Sequence, residues 1–226
     1  MIKNTLQRKV IYLEKLAIFD VDFTITKRET LLEFYLFMIK KRPWIILYFP
    51  ICILSALLFV IKIIPAKRTK ELFIKFIDGI DEKSMKSFVD EFYEKRLSKI
   101  FYIDAIEEIK KLKEENFKVY LISASGEFYL NTLYNLPEVD KIIGTVFLKS
   151  NGVYRSKIVG RNCKGEEKVR RLKEFLNNKK IEVDFKNSYM FSDSLSDLPL
   201  LRLVGNPYLI NFKGNDTEGI KVLHWK

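Results

Sequence analysis

Leu16-Ala17-Ile18-Phe19-Asp20-Val21-Asp22-Phe23-Thr24-Ile25-Thr26 joins a short apolar run to two carboxylates set two residues apart. The run Leu16–Phe19 is too brief for a helix and reads as a buried strand. Ligands of open α/β sheets bind outside the carboxyl ends of the strands, which is where Asp20 and Asp22 then fall. Two acids at this spacing suit a hard cation such as Mg2+, or nucleophilic attack beside acid–base work. A strand end followed by a polar turn has the same look, so the motif needs support from the rest of the chain.

That support comes at two further strand ends. Phe117–Ile122 reads as a second strand running into Ser123-Ala124-Ser125-Gly126, with a helical pattern over Glu127–Leu136. Ser188–Phe191 reads as a third, running into Ser192-Asp193-Ser194-Leu195-Ser196-Asp197, with a short helix over Leu198–Val204. Tyr208–Ile210 and Val222–His224 supply the last strands. Between the second and third strands lie a hairpin over Thr145–Ile158, marked by Asn151-Gly152, and a basic amphipathic helix over Glu166–Leu176. Such alternation predicts an α/β protein with a doubly wound parallel sheet.

Residues 27–103 interrupt that alternation. Glu29–Lys40, Arg68–Ile80 and Glu82–Ile100 carry helical apolar patterns, so an all-helical cap is expected after the first strand. Asp104-Ala105-Ile106-Glu107 has the form of a capping box opening the next helix, which Asn116 closes. The expected division is a catalytic core, 1–26 and 104–226, and a cap, 27–103.

Within the cap, Trp44–Ile61 holds 18 residues without a formal charge, the length at which a transmembrane helix becomes a candidate. Lys40, Lys41 and Arg42 precede it, and Lys62, Lys67, Arg68 and Lys70 follow. A single crossing would part strands of one sheet, and basic flanks at both ends agree that both lie on the cytoplasmic side. Pro50 is expected to break the run. Three readings stay open: a re-entrant or interfacial hairpin, a patch that docks on lipid, or buried helices of the cap.

Composition narrows the chemistry. The 226 residues suffice for one large or two small domains. Cys52 and Cys163 lie far apart and imply no disulfide framework, which favours a reducing, cytoplasmic compartment. Met1–Lys15 alternates charged and apolar residues and lacks the apolar core of a signal peptide. A single histidine, His224, disfavours His-ligated zinc and a Ser-His-Asp triad, so any metal should be held by oxygen. The net charge of +11 favours anionic partners. Basic residues that flank an apolar run suit an anionic membrane surface, peripheral on the cytoplasmic face, better than nucleic acid. A solvated lysine-rich surface accounts for the same charge without a partner. Nothing in the sequence bears on oligomeric state.

In a parallel sheet the three polar strand ends share one edge. Asp20, Asp22, Asp193 and Asp197 would then form a carboxylate cluster whose mutual repulsion a bound Mg2+ relieves. Ser123, Ser125 and the Gly126 backbone N–H, where a strand feeds a helix, suit an anion. Together these are parts for phosphoryl transfer. In this order they resemble the haloacid dehalogenase superfamily of aspartate-nucleophile phosphatases, in the subgroup of phosphoserine phosphatase-like and phosphatidylglycerophosphatase C-like enzymes. Asp20-Val21-Asp22-Phe23-Thr24 matches the first motif, Ser123 the second, and Ser192–Asp197 the fourth. The likeness covers nearly the whole chain, including the hairpin, the stretch Asn162–Val169 and the helical cap. Phe23 and Ser192 depart from it, each standing where many relatives have glycine.

The resemblance implies that Asp20 attacks phosphorus to form an aspartyl phosphate, while Asp22 protonates the leaving alcohol and then deprotonates water. It implies Mg2+ held by Asp20, Asp193 and the Asp22 carbonyl, with Asp197 orienting the metal shell or the lysine. Phosphoryl contacts fall to Thr24, Ser123, Ser125, Gly126 and one lysine. Lys168 stands one turn ahead of a buried face carrying Leu172 and Phe175, and helix register favours it over Lys164, which would reach in from a loop.

For the substrate, two clues diverge. Glu29-Thr30 falls seven residues after Asp22, as a Glu-Thr pair does in phosphoserine phosphatases, whose glutamate helps recognise substrate. That favours a small polar phosphomonoester, phosphoserine-, glycerol phosphate- or sugar phosphate-like. The apolar run with basic flanks suits a lipid phosphate such as phosphatidylglycerophosphate, and has a parallel in the cap of the phosphatidylglycerophosphatase C-like relatives. The lipid phosphate is the preferred expectation. A non-enzymatic alternative is a basic membrane-binding module on the same fold.

Overall fold

The computed structural model describes residues 13–226, so the reading of Met1–Lys15 falls mostly outside the described residues. The first strand, β1 (Leu16–Phe19), is wholly buried. Its Ala17 and Phe19 join the apolar core on one face of the sheet, and Leu16 and Ile18 the core on the other. This is the period-2 alternation of a strand covered on both sides.

The chain then leaves the sheet for a helical insertion. It comprises α1 (Thr30–Lys41), a 3-10 stretch (Pro43–Tyr48), α2 (Phe49–Val60), α3 (Ala66–Phe73), a 3-10 turn (Lys75–Ile77) and α4 (Glu82–Lys95). It returns through α5 (Ile103–Glu114), β2 (Lys118–Gly126), the single turn α6 (Glu127–Leu130) and β3 (Val139–Thr145). A hairpin follows, β4 (Phe147–Ser150) and β5 (Val153–Ile158), then α7 (Glu166–Lys179) and β6 (Tyr189–Ser192). The chain closes with α8 (Leu198–Leu201), β7 (Asn206–Ile210) and β8 (Lys221–Leu223).

Six strands form one sheet in the order β3-β2-β1-β6-β7-β8, every pair parallel. The strand order reverses direction at β1, where open α/β sheets leave a crevice for ligands. Register sets Phe19 opposite Leu121 and Phe191, so Asp20, Ser123 and Asp193 all follow closely on one level of the sheet.

Several local expectations shift. No strand is expected at Val139–Thr145, where Asp140 and Lys141 interrupt the apolar run; pairing with β2 makes one. The helix expected over Glu127–Leu136 is one α turn followed by a 3-10 stretch. Asp104 does not cap α5: Tyr102 holds that position, and the Asp104 carboxylate accepts the Lys226 N–H at 2.6 Å. The helix expected from Arg68 starts at Ala66 and stops at Phe73. Pro50 begins α2 rather than breaking the run, since a missing N–H is harmless in the first turn. Asn151 and Gly152 take the expected turn, with φ of 52° and 71°.

One apolar cluster runs from the sheet into the insertion without interruption. Phe34 of α1 stacks on Tyr129 at 5.4 Å and meets Phe92 of α4 edge-on at 5.2 Å. The hairpin braces the same unit: the Tyr154 N–H donates to the Ile80 carbonyl at 2.8 Å, and the Gly79 N–H to the Tyr154 carbonyl at 3.0 Å.

Candidate active site

The carboxyl ends of β1, β2 and β6 enclose a cavity of about 210 Å³, walled by Asp20, Asp22, Ser123, Lys168, Asp193 and Asp197 among others. Two clefts of about 600 Å³ lie elsewhere, both lined in part by residues of α4, and carry none of these groups. Size therefore does not mark the site; chemistry does.

Lys168 is the hub of the cavity floor. It is 2% exposed, and its Nζ donates to Asp20 Oδ1 at 2.7 Å and to Asp197 Oδ2 at 2.6 Å. Burial works against its charge, but the two carboxylates outweigh that and hold its pKa above the ordinary lysine value. α7 presents it: Val169, Leu172 and Leu176 pack on the sheet, and Glu167 is tied to Arg170 and Arg171. Lys164 also reaches the cavity, but from an exposed position ahead of α7. Burial pushes Asp20 up to about 8, with Lys168 opposing and Asp197 and Asp22 adding to the rise. Asp193 is pushed up to about 6, first by burial and then by Asp197. One ammonium does not offset this many acids.

Asp22 is fixed from both sides. Its Oδ1 accepts the Thr30 N–H at 2.6 Å, and its Oδ2 accepts the Ser125 hydroxyl at 2.7 Å. The Ser125 hydroxyl also lies 3.2 Å from that of Thr30, which donates to Tyr129 Oη at 3.4 Å. Ser125 thus attends Asp22 and is not on the cavity wall, unlike Ser123. Thr24 is likewise off the wall: fully buried, its hydroxyl accepts the Asp193 N–H at 2.9 Å and ties the first loop to the β6 loop. Gly126 serves packing, since a Cβ there would stand 2.8 Å from the Phe128 ring. None of these three lines the cavity.

Glu29 caps α1, its carboxylate accepting the Leu32 N–H at 2.6 Å. Burial, and then the charge of Asp22, push it up to about 7. Beside it stands Lys70, which sequence reasoning treats only as a flanking charge. Its Nζ donates to the Ala124 carbonyl and, at 2.9 Å, to Asn162 Oδ1. Burial lowers its pKa to about 8, with Asp22 and Glu29 resisting. Both residues line a groove of about 320 Å³ whose other walls include Leu31, Phe59 and Phe73. The sequence signal available was weak: a basic residue in an amphipathic helix whose partners lie 54 and 92 residues away.

Asp20 at one strand end, the buried Lys168 and the acids Asp193 and Asp197 at another thus stand together on one sheet edge. The family description haloacid dehalogenase-like hydrolase matches residues 17–202. The chain belongs to that family. A histidinol-phosphatase of Neisseria meningitidis serogroup C is 34% identical over 93 residues, 40% of this chain and 42% of that protein. A probable phosphatase of Mycobacterium tuberculosis is 26% identical over 133 residues, 59% of this chain and 45% of that protein. The matches thus span less than half the length of these curated relatives. A protein of unknown function from Bordetella pertussis Tohama I superposes with a TM-score of 0.83 at 20% identity, covering 94% of this chain and 99% of that one. A substrate-bound phosphoserine phosphatase superposes with a TM-score of 0.63 at 14% identity, covering 93% of each. At such identities the likeness establishes the fold.

Haloacid dehalogenase-like phosphatases generally use Mg2+, and the donors here fit it. The walls offer oxygen and no imidazole or thiolate, the preference of a hard cation. Asp197 Oδ1 is buried with no hydrogen-bond partner among the described residues, which a metal-bound water would supply. No three acidic, His or Cys side chains among the described residues converge as a ready cage. With Mg2+ bound, backbone, water and substrate oxygens would complete the shell, as is usual for that ion.

Proposed function

We propose that this haloacid dehalogenase-like hydrolase is a Mg2+-dependent phosphomonoesterase acting through an aspartyl phosphate on Asp20. The observation that carries this reading is the buried Asp20–Lys168–Asp197 bridge on the cavity floor. Lys168 engages Asp20 Oδ1 and leaves the other oxygen to attack phosphorus in line. As the P–O ester bond breaks, Asp22 gives its proton to the departing alkoxide. Asp22, now a carboxylate, takes a proton from the water whose oxygen attacks the aspartyl phosphate. The P–O bond to Asp20 then breaks and phosphate leaves. The Ser125 hydroxyl suits both states of Asp22: it donates to the carboxylate, and it can turn to Thr30 and accept from the acid. Ser123 and Lys168 hold the phosphoryl oxygens. Mg2+, held by Asp20, Asp193 and the Asp22 carbonyl, would supply positive charge against the transferring group.

In this reading residues 1–26 and 104–226 are the catalytic core, and 27–103 are the cap that selects the alcohol. The groove beyond Asp22 supports an amphiphilic substrate, a lipid phosphate such as phosphatidylglycerophosphate. Glu29 and Lys70 would meet polar headgroup atoms there, and Leu31, Phe59 and Phe73 an acyl or prenyl chain. The same Glu29–Lys70 pair also supports a second reading, a small zwitterionic or polyol phosphate. A cytoplasmic setting fits two free, buried cysteines.

The test is hydrolysis of p-nitrophenyl phosphate, then of a panel pairing lipid phosphates with phosphoserine, glycerol phosphate, sugar phosphates and histidinol phosphate. Turnover should require Mg2+ and fall at least about a thousandfold in Asp20→Asn with the fold intact. Metal-independent turnover, or an active Asp20→Asn, would overturn the reading.

A further inference from the structure

We infer that the surface formed by Pro43–Tyr48 and α2 docks on an anionic lipid bilayer, entering its interface without crossing it. Of the residues from Pro43 to Val60, only Ile45, Cys52 and Ser55 are buried. Leu47 is 74% exposed and Val60 73%, and Leu54, Leu57 and Ile61 are each more than half exposed. Folded surfaces scatter such residues singly; a contiguous set on one element marks a place that meets another apolar phase. α2 is apolar round its whole circumference, yet the protein covers only the narrow side carrying Cys52 and Ser55.

Charge identifies that phase. Residues 34–70 contain seven Lys and Arg and no Asp or Glu. Lys41 and Arg68 pair with Glu91 and Glu71, and Lys70 turns toward the active site. Lys40 and Lys62, one at each end of the apolar surface, are exposed and make no ion pair among the described residues. A second copy of the chain would bring these cations face to face, whereas anionic headgroups complement them. Trp44 is 58% exposed at the start of the surface, with Arg42 5.6 Å from its ring, the pairing favoured at a headgroup level.

Geometry excludes a span. By length alone the apolar helical stretch Pro43–Val60, 18 residues, could cross a bilayer, so the exclusion rests on where its two ends go. On both sides of the surface the chain returns to one body, since Phe34 and Phe76 share a core with Phe19 of the sheet. An in-plane helix sunk about 5–10 Å satisfies that return. Phe59 belongs both to the exposed surface and to the groove that ends at Glu29 and Lys70, so the docking face adjoins the groove. Docking itself does not depend on catalysis, and binding alone tests it.

The full chain is mixed with vesicles of phosphatidylglycerol or of phosphatidylcholine and sedimented, and Trp44 emission is followed with Trp44→Phe as the blank. Wild type should partition onto phosphatidylglycerol vesicles at least tenfold better than onto phosphatidylcholine, with a blue shift that Trp44→Phe loses. Leu47→Glu/Leu54→Glu/Leu57→Glu should bind at least tenfold more weakly while keeping its melting temperature and its turnover of p-nitrophenyl phosphate. If that variant does not fold, Lys40→Glu/Lys62→Glu serves instead, and should lose most of the preference for phosphatidylglycerol. Wild type left in the supernatant, substituted chains that bind as tightly as wild type, or a wild-type dimer that the substitutions dissociate would each overturn the proposal.

Discussion

Phe23 carries a φ of 56° on the loop between Asp22 and Thr24, a left-handed conformation that costs a residue with a Cβ about 1–2 kcal/mol. It is nearly half exposed and lines the cavity, so little packing offsets the strain. Phe23→Gly should therefore keep or slightly raise the melting temperature, while Phe23→Val, β-branched in the same conformation, should lower it by several degrees. Glu29 adds a residue-scale pH effect. Its folded pKa, about 7, lies above the ordinary 4.5, so the folded state binds the extra proton between those values. Its contribution to stability is whole below pH 4.5 and is lost as pH rises through 7. Glu29→Gln keeps the cap acceptor and drops the charge, so its stability advantage over wild type should grow across that window in denaturant titrations. Asp20, Asp22 and Asp193 were legible as acids at strand ends, and the burial of Lys168 followed from helix register. The contacts of Thr24, Ser125 and Lys70 were not, because their partners depend on hydroxyl and ammonium positions that only long-range packing sets.

Elements were legible where local chemistry fixes them. The Asn151-Gly152 turn needs two positive φ values and has the residues that take them. β3 was illegible because its own pattern is weak and its existence is owed to β2. Pro50 misled because the same ring that breaks a helix interior starts a helix well. The hairpin also has a part in the insertion: Lys149 pairs with Glu82 at 2.9 Å, and the Ser156 N–H donates to the Asp78 carboxylate at 2.5 Å. Gly152→Ala places a Cβ at φ 71° with no steric neighbour, so the expected cost is about 1 kcal/mol from the backbone alone. If the hairpin braces the cap, the substitution should raise KM for the preferred substrate more than it lowers kcat.

At the scale of the molecule, an acid cluster sits inside a chain of net charge +11, held down by one buried lysine. Folding such a cluster is unfavourable without a cation, so Mg2+ should stabilise the protein by mass action. Saturating Mg2+ should raise the melting temperature of wild type, chelation should reverse the rise, and Asp193→Asn should abolish it. The sheet, its polar edge and the helical insertion all follow from strand–helix alternation. Whether the apolar run is buried does not, since a core helix and a lipid-facing helix share one composition.

The proposed covalent step offers the most direct test. The protein is quenched during turnover of p-nitrophenyl phosphate with Mg2+, reduced with borohydride, digested and sequenced by mass spectrometry. An aspartyl phosphate on Asp20 predicts homoserine at position 20, dependent on substrate and absent from Asp20→Asn. Turnover with no modified residue, or homoserine at Asp22 or Asp193 in its place, would contradict Asp20 as the nucleophile.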